Sequence, residues 1–371
     1  MPPGIDPDFN RLDSLLRTHP AIARVRDAAG DRPVFLVGGA IRDALAGGSV
    51  DDIDLVVEGD PVPLARTIDP ETRVNDRFGT VKLLVDGLPV DVATARTETY
   101  ARPGALPDVT PGKLDDDLIR RDFSINAMAI GIEEGARLVD PFGGVDDLRS
   151  GVLRVLHDRS FQDDPTRALR AARYAARLDF DLEPRTADLM MAVNLSTVSR
   201  DRVESELRLI ALETEAIEAL RLARRWGLIE FDEGRLELAR EALTLTRSDP
   251  WKDEAPPEVL ILEAIFGDPV DELLPEPETP WEACRVARGH GPVELVLARA
   301  RGASWLDRWQ ADWRWVELEI TGADLLAEGV PEGPWIGEGL DAALEAKLNG
   351  TADGAEAELE KALAVAGRGR T

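Results

Sequence analysis

The chain has 371 residues, room for two to four domains at roughly 100–200 residues each. Its 44% apolar and 31% charged residues support packed cores and exclude whole-chain disorder. The single cysteine, Cys284, excludes a disulfide framework, and three histidines (His19, His157, His290) argue against a multi-histidine metal site. The net charge is −27, and residues 231–371 alone carry 30 acidic against 14 basic side chains, a field that repels nucleic acid. Only five of the 44 basic residues are lysine, which fits a saline cytoplasm or a skewed genome composition. No apolar run reaches the roughly 18 residues that cross a bilayer, and no basic-then-apolar leader opens the chain. A cytoplasmic protein without a membrane partner is the expectation.

Apolar spacing predicts a helix over residues 9–30. Val34 to Val37 then reads as a short strand, Gly38-Gly39 as a turn and Ala40 to Leu45 as a helix start. Glycine at that turn leaves backbone N–H groups open to a phosphate, with Arg42 one turn further on. An ordinary strand-to-helix turn looks the same. DDIDLVV (51–57) reads as a strand carrying Asp52 and Asp54 on one face. Two carboxylates so placed suit Mg²⁺, with Asp91 on a neighbouring strand as a third oxygen donor, although D-x-D also occurs on exposed strand faces. Residues 80–96 read as a hairpin turning at Asp86-Gly87, and residues 101–117 as a loop. Strand, helix and hairpin together make the first 155 residues an α/β head.

RRDFSINAMA (120–129) reads as an apolar helix opened by Arg120, Arg121 and Asp122. Asp122 or Ser124 suits a helix cap, and the paired arginines suit a phosphate or ribose. Helical spacing follows over Asp163–Arg177, Thr186–Asn194 and Arg202–Trp226, with Pro- and acid-rich breaks at 248–257 and 268–280, and helix again to about 316. In the first of these Asp164, Arg167, Arg170 and Arg173 are spaced by three, one carboxylate and three guanidiniums on a helix face that Arg177 extends. Such a face is either a solvated, ion-paired surface or a reader of bases. Cytosine and adenine both present an exocyclic amine beside a ring-nitrogen acceptor. One carboxylate and one arginine satisfy both bases, whereas uracil and guanine reverse the polarity.

GGAIRD, DDIDLVV, RRDFSINAMA, DPFGGVDDL and DDPTRALRAARYAARL, in this order, resemble the class II tRNA nucleotidyltransferases, the CCA-adding enzymes, and their poly(A) polymerase relatives. The resemblance runs from about Val34 to Leu209, and ITGADLLAEGVPEGPWIG resembles part of the family's tail. It implies an α+β fold: a polymerase-β-like head with a mixed sheet and helices (1–155), then an all-α neck (156–226), body (227–316) and tail (317–371). It implies that Asp52 and Asp54 bind two Mg²⁺ ions, with Asp91 as the third catalytic carboxylate. Gly38, Gly39 and Arg42 would face the triphosphate, and Arg121, Asp122 and Asn126 the ribose and phosphate. Asp164 and Arg167 would read C or A, with Arg170 and Arg173 toward the phosphates. The 101–117 loop matches the family's flexible loop, and Arg202 and Glu206 match its last neck motif. The implied partners are CTP, ATP and the tRNA 3′ end. A poly(A) polymerase, an enzyme adding only CC or only A, and an inactive nucleotide- or RNA-binding relative are the alternatives. The family's template often opens Glu-Asp, where this chain has Asp163. His157-Asp158 lacks the further histidines of an appended phosphohydrolase domain.

Overall fold

The computed structural model describes residues 4–50, 52–72, 74–75, 79–268 and 274–367. They form two compact units, residues 1–230 and 231–371.

The first unit opens with α1 (Phe9–Thr18) and α2 (Pro20–Ala29). They are two helices where the apolar spacing predicts one, because Pro20 has no N–H to donate and His19 before it is extended at ψ 118°. Next come β1 (Val34–Val37), α3 (Gly39–Leu45), β2 (Ile53–Val57), α4 (Val62–Ile68), β3 (Val74–Asn75), β4 (Thr80–Val85) and β5 (Leu88–Thr94). The β4–β5 hairpin turns at Asp86-Gly87, as its sequence indicates. Then follow β6 (Arg96–Thr99), β7 (Asp108–Pro111), α5 (Leu114–Ile119), β8 (Ala129–Gly131) and β9 (Leu138–Val139). Seven strands form one mixed sheet in the order β3-β4-β5-β2-β1-β8-β9. Within it β2 and β5 run parallel, in a register that sets Asp54 beside Asp91.

Two expectations fail here. Residues 101–117 are not a loop throughout: β7 pairs antiparallel with β6, and the acidic run begins α5. Residues 120–129 are not a helix. Ser124–Asn126 form a 3₁₀ turn, and the apolar run beyond it enters the sheet as β8 beside β1. A short buried apolar run reads alike as helix or central strand.

Helix α6 (Gly144–Ser150), β10 (Val152–Leu153), α7 (Ser160–Asp163), α8 (Arg167–Leu178), β11 (Asp181–Leu182), α9 (Pro184–Met190), α10 (Arg200–Ala211) and α11 (Ala216–Arg225) complete the unit. Asp163–Arg177 is therefore not one helix. Asp164 precedes Pro165, stays extended (φ −136°, ψ 94°) and lies outside α8. Arg202–Trp226 likewise divides into α10 and α11. One core, which includes Leu36, Ile41, Leu55 and Phe123, continues across residue 155 into Phe161, Ala168 and Ala171. Burial of each large side chain contributes about 1.5–3 kcal/mol.

The second unit is helical among its described residues: α12 (Gly234–Leu245), α13 (Pro257–Phe266), α14 (Pro280–Ala287), α15 (Pro292–Ala300), α16 (Trp305–Ala311), α17 (Gly322–Ala327), α18 (Pro334–Leu348) and α19 (Gly354–Ala366). Its last three helices close on Leu325, Ala343, Ala362 and Ala366. Among the described residues no helix is long and apolar enough to cross a membrane.

Candidate active site

A cleft of about 1250 Å³ lies within the first unit, between the sheet and α8. Twelve of the thirteen residues singled out from sequence line it: Asp52, Asp54, Asp91, Gly39, Arg42, Arg121, Asp122, Asn126, Asp164, Arg167, Arg170 and Arg173. Gly38 does not. It takes φ +69°, and a Cβ there would lie 2.6 Å from Arg121 Nη1, so glycine makes room for that guanidinium.

The acidic end is built on the parallel pair β2/β5. Asp54 on β2 is in register with Asp91 on β5, and Asp52 lies just ahead of β2; Asp51 lies outside the described residues. Asp54 opens to solvent, yet the surrounding atoms desolvate its carboxylate and push its pKa up. Arg121 opposes that rise, and Asp91 and Asp52 add to it. Lys82 Nζ donates to Asp91 Oδ2 at 3.0 Å. Among the described residues no three groups converge as a ready-made metal cage. The donor set still suits a hard divalent cation: three carboxylate side chains face one cleft, and a cation among them would relieve their repulsion.

The basic wall is a chain of ion pairs. Arg42, 3% exposed, donates to both oxygens of Asp43 at 2.7–2.8 Å and to Asn126 Oδ1 at 2.6 Å. Asn126 Nδ2 donates to Asp122 Oδ1 at 3.0 Å, and Arg170 reaches Asp122 Oδ2 at 2.7–2.8 Å. Asp117, which sequence reasoning passed over, is fully buried on α5 and accepts from both Arg120 (2.6 Å) and Arg121 (2.8 Å). Glu98 accepts from Arg120 at 3.1 Å and from Tyr100 Oη at 2.8 Å. Asp117 was legible as the i−3 and i−4 neighbour of the two arginines. Glu98 carried no signal before β6 was known to pack on α5.

At the α8 end, Arg167 donates to Ser160 Oγ (2.7 Å) and to the Arg120 carbonyl (2.6 Å). Asp164 Oδ1 accepts from Thr166 N, Thr166 Oγ1 and Arg202 Nη2. Among the described residues these bonds leave Asp164 Oδ2 and Arg167 Nε outside the network, one acceptor and one donor. Arg173 stands 3.6 Å from Glu213 and 3.9 Å from Glu206, and Arg177 pairs with Glu213 at 2.8 Å.

Burial would raise the Asp122 pKa, but Arg170, the Asn126 amide and Arg167 overcome it and bring it down to about 2. A depressed folded pKa stabilises the fold fully above the unfolded value near 4 and loses that contribution as pH falls toward 2. The stability difference between the native chain and Asp122→Asn is expected to shrink by about 2 kcal/mol between pH 5 and pH 2. Urea unfolding at both pH values measures it; a pH-independent difference contradicts the assignment.

Residues 34–154 match the poly A polymerase head domain. A CC-adding tRNA nucleotidyltransferase from Deinococcus radiodurans is 35% identical over 338 residues, covering 85% of this chain and 84% of that protein. The chain belongs to the tRNA nucleotidyltransferase family. An A-adding tRNA nucleotidyltransferase from Geobacter sulfurreducens is 34% identical across 94% of this chain, and one from Aquifex aeolicus is 46% identical across 53% of it. This tRNA nucleotidyltransferase chain spans only 47% and 25% of the length of those two relatives. A CCA-adding enzyme solved in an apo form superposes with a TM-score of 0.79 at 27% identity, over 95% of this chain and 96% of that one. The Thermotoga maritima CCA-adding enzyme complexed with tRNA superposes with a TM-score of 0.72 at 27% identity, over 97% and 96%. The α+β expectation, a mixed-sheet head followed by helices, agrees with these structures. Nucleotidyltransferases of this family use divalent metal ions.

Proposed function

We propose that this chain adds C, A or both to the 3′ end of tRNA, using CTP and ATP and releasing pyrophosphate, in the cytoplasm. The observation that carries the reading is one cleft lined by three carboxylates at one end and by Asp164, Arg167, Arg170 and Arg173 at the other. Those acidic residues suit an attacking hydroxyl and an α-phosphate, and the arginines suit a nucleoside triphosphate. Mg²⁺, two ions in our reading, would be held by Asp52 and Asp54 with Asp91 and would neutralise charge on the reacting phosphate. Arg42, Arg170 and Arg173 bind and orient the polyphosphate, and Arg121 lies beside the carboxylates. Asp164 Oδ2 accepts the exocyclic amine of the base, and Arg167 Nε donates to its ring nitrogen. Bound this way, CTP and ATP are held alike, and UTP and GTP are left with unpaired polar groups. The hydroxyl oxygen forms the new phosphoester bond, and the bond to pyrophosphate breaks. Positioning and charge neutralisation supply the rate.

Arg167→Ala is therefore expected to reduce the preference for CTP over UTP at least tenfold while weakening triphosphate binding less, as measured by competing incorporation. Unchanged selectivity removes the template role.

The acidic second unit holds RNA through a local exception. Residues 285–315 contain six arginines and three acidic residues, against 30 acidic and 14 basic in the whole of 231–371. Arg308 lies 5.2 Å over the Trp313 ring, and Arg314 lies 5.1 Å from Trp309 and 4.6 Å from Trp315. Trp315 is 65% exposed, an indole face open to stacking; Arg314 beside it is paired with Glu254 at 2.6 Å, and Arg308 is exposed. Trp315→Ala combined with Arg308→Ala is expected to raise KM for tRNA about tenfold and leave KM for CTP within twofold. Steady-state kinetics in both substrates measures the two effects.

The deciding experiment supplies trimmed tRNA with CTP alone, ATP alone and both, and reads the products at single-nucleotide resolution. Addition of up to three residues supports the reading, and CC-only or A-only products identify the partial enzymes. A long A tail indicates a poly(A) polymerase, and no product with any nucleotide indicates a silent binding protein.

A further inference from the structure

Tyr174, on α8, is 7% exposed and lines the cleft. Its ring stands edge-on to the fully buried Phe123, centroids 6.0 Å apart at 88°, which fixes the ring plane. Three guanidiniums gather on this ring: Arg42 at 4.9 Å, Arg173 at 5.1 Å and Arg177 at 5.9 Å. Arg42 and Arg177 stand close enough to repel one another. Carboxylates hold some of them, but each carboxylate also takes up N–H donors and cancels charge. An aromatic face attracts a guanidinium through its quadrupole and leaves the in-plane N–H groups unspent. Arg173 shows the difference. Its carboxylate neighbours are at 3.6 and 3.9 Å, beyond hydrogen-bond length, and its buried Nε has no acceptor among the described residues. The ring of Tyr174 lies 5.1 Å from its guanidinium carbon.

We propose that Tyr174 is a positioning residue whose aromatic face assembles Arg42, Arg173 and Arg177 into a polyphosphate-binding cluster. This rests on the nucleotidyltransferase reading and deepens it. The cluster faces phosphate and not base, so Tyr174 sets affinity for CTP, ATP and pyrophosphate together and leaves the choice between bases alone. The aromatic ring carries this role; among the described residues the hydroxyl makes one long contact, 3.5 Å from Arg170 Nη2.

The test replaces Tyr174 with phenylalanine and with mono-, di- and trifluorinated phenylalanines, which keep the ring's shape while draining its negative face. Inorganic pyrophosphate and CTP binding are followed by calorimetry, and KM and kcat by incorporation into trimmed tRNA. Expected is a stepwise weakening along the series, about tenfold from phenylalanine to the trifluoro ring, equal for pyrophosphate and CTP. KM for CTP and ATP rises in parallel, and kcat moves less than threefold. Tyr174→Phe stays within about threefold of the native chain, and Tyr174→Leu, if folded, falls at the weak end. A flat series overturns the proposal, as does a change in melting temperature and kcat without a change in pyrophosphate affinity. If the native chain binds neither pyrophosphate nor CTP, the nucleotidyltransferase reading itself fails, and the proposal with it.

Discussion

Asp54→Ala is expected to lower nucleotide incorporation at least a thousandfold while leaving the melting temperature within about 3 °C. The catalytic loss is about 4 kcal/mol of barrier, the scale of removing a group that helps hold the charge-neutralising cation. Stability should hold because the folded protein disfavours this charge: burial and the nearby Asp91 and Asp52 carboxylates push the Asp54 pKa up. Deleting it relieves repulsion and opens no core cavity. Thermal melts alongside incorporation assays separate the two effects. Near-native activity would remove Asp54 from the reaction, and a collapse in stability would mean that its role is structural.

Asp117→Ala should act the opposite way. This carboxylate is wholly buried, and Arg120 and Arg121 both depend on it, at 2.6 and 2.8 Å. Despite its burial, the two arginines draw its pKa down, so it is held as the anion. Removing one member of a buried pair costs about 3–5 kcal/mol, and here two guanidiniums lose their partner. The melting temperature should fall by about 10 °C. Activity should fall with it, because the Arg120 carbonyl holds Arg167 and Arg121 lies beside the acidic end. Asp115→Ala, exposed on the same helix, serves as the control and should change neither. Equal behaviour of the two variants would contradict the role given to Asp117.

The cleft was legible to the extent that each polar residue stood in a local pattern. Arg42 past the glycine turn and the three-spaced arginines stand together because helix periodicity fixes their faces, while Asp52, read as part of the strand, joins Asp54 from just ahead of β2. Continuity was misjudged where one residue broke a pattern. Pro20 split the first helix, and Pro165 set Asp164 outside α8. RRDFSINAMA misled because a buried apolar run has no periodicity of its own; only pairing with β1 makes Ala129–Gly131 a strand. Residues such as Glu98 and Glu213, which restrain the arginines, come from elements far apart in sequence. Nothing local marks a carboxylate whose partner is a fold away. Tyr174 carried no signal of its own, because core packing and an arginine platform place an aromatic at the same helical spacing.

In the proposed reaction the acidic trio and the arginine wall share one nucleotide between them, with a divalent cation on the acidic side. Electron paramagnetic resonance of Mn²⁺ titrated into the protein with and without CTP tests it most directly. CTP is expected to tighten Mn²⁺ uptake by the native chain, and Asp54→Ala and Arg170→Ala are each expected to abolish this tightening. Equal Mn²⁺ uptake by all three proteins, with CTP making no difference, would contradict it.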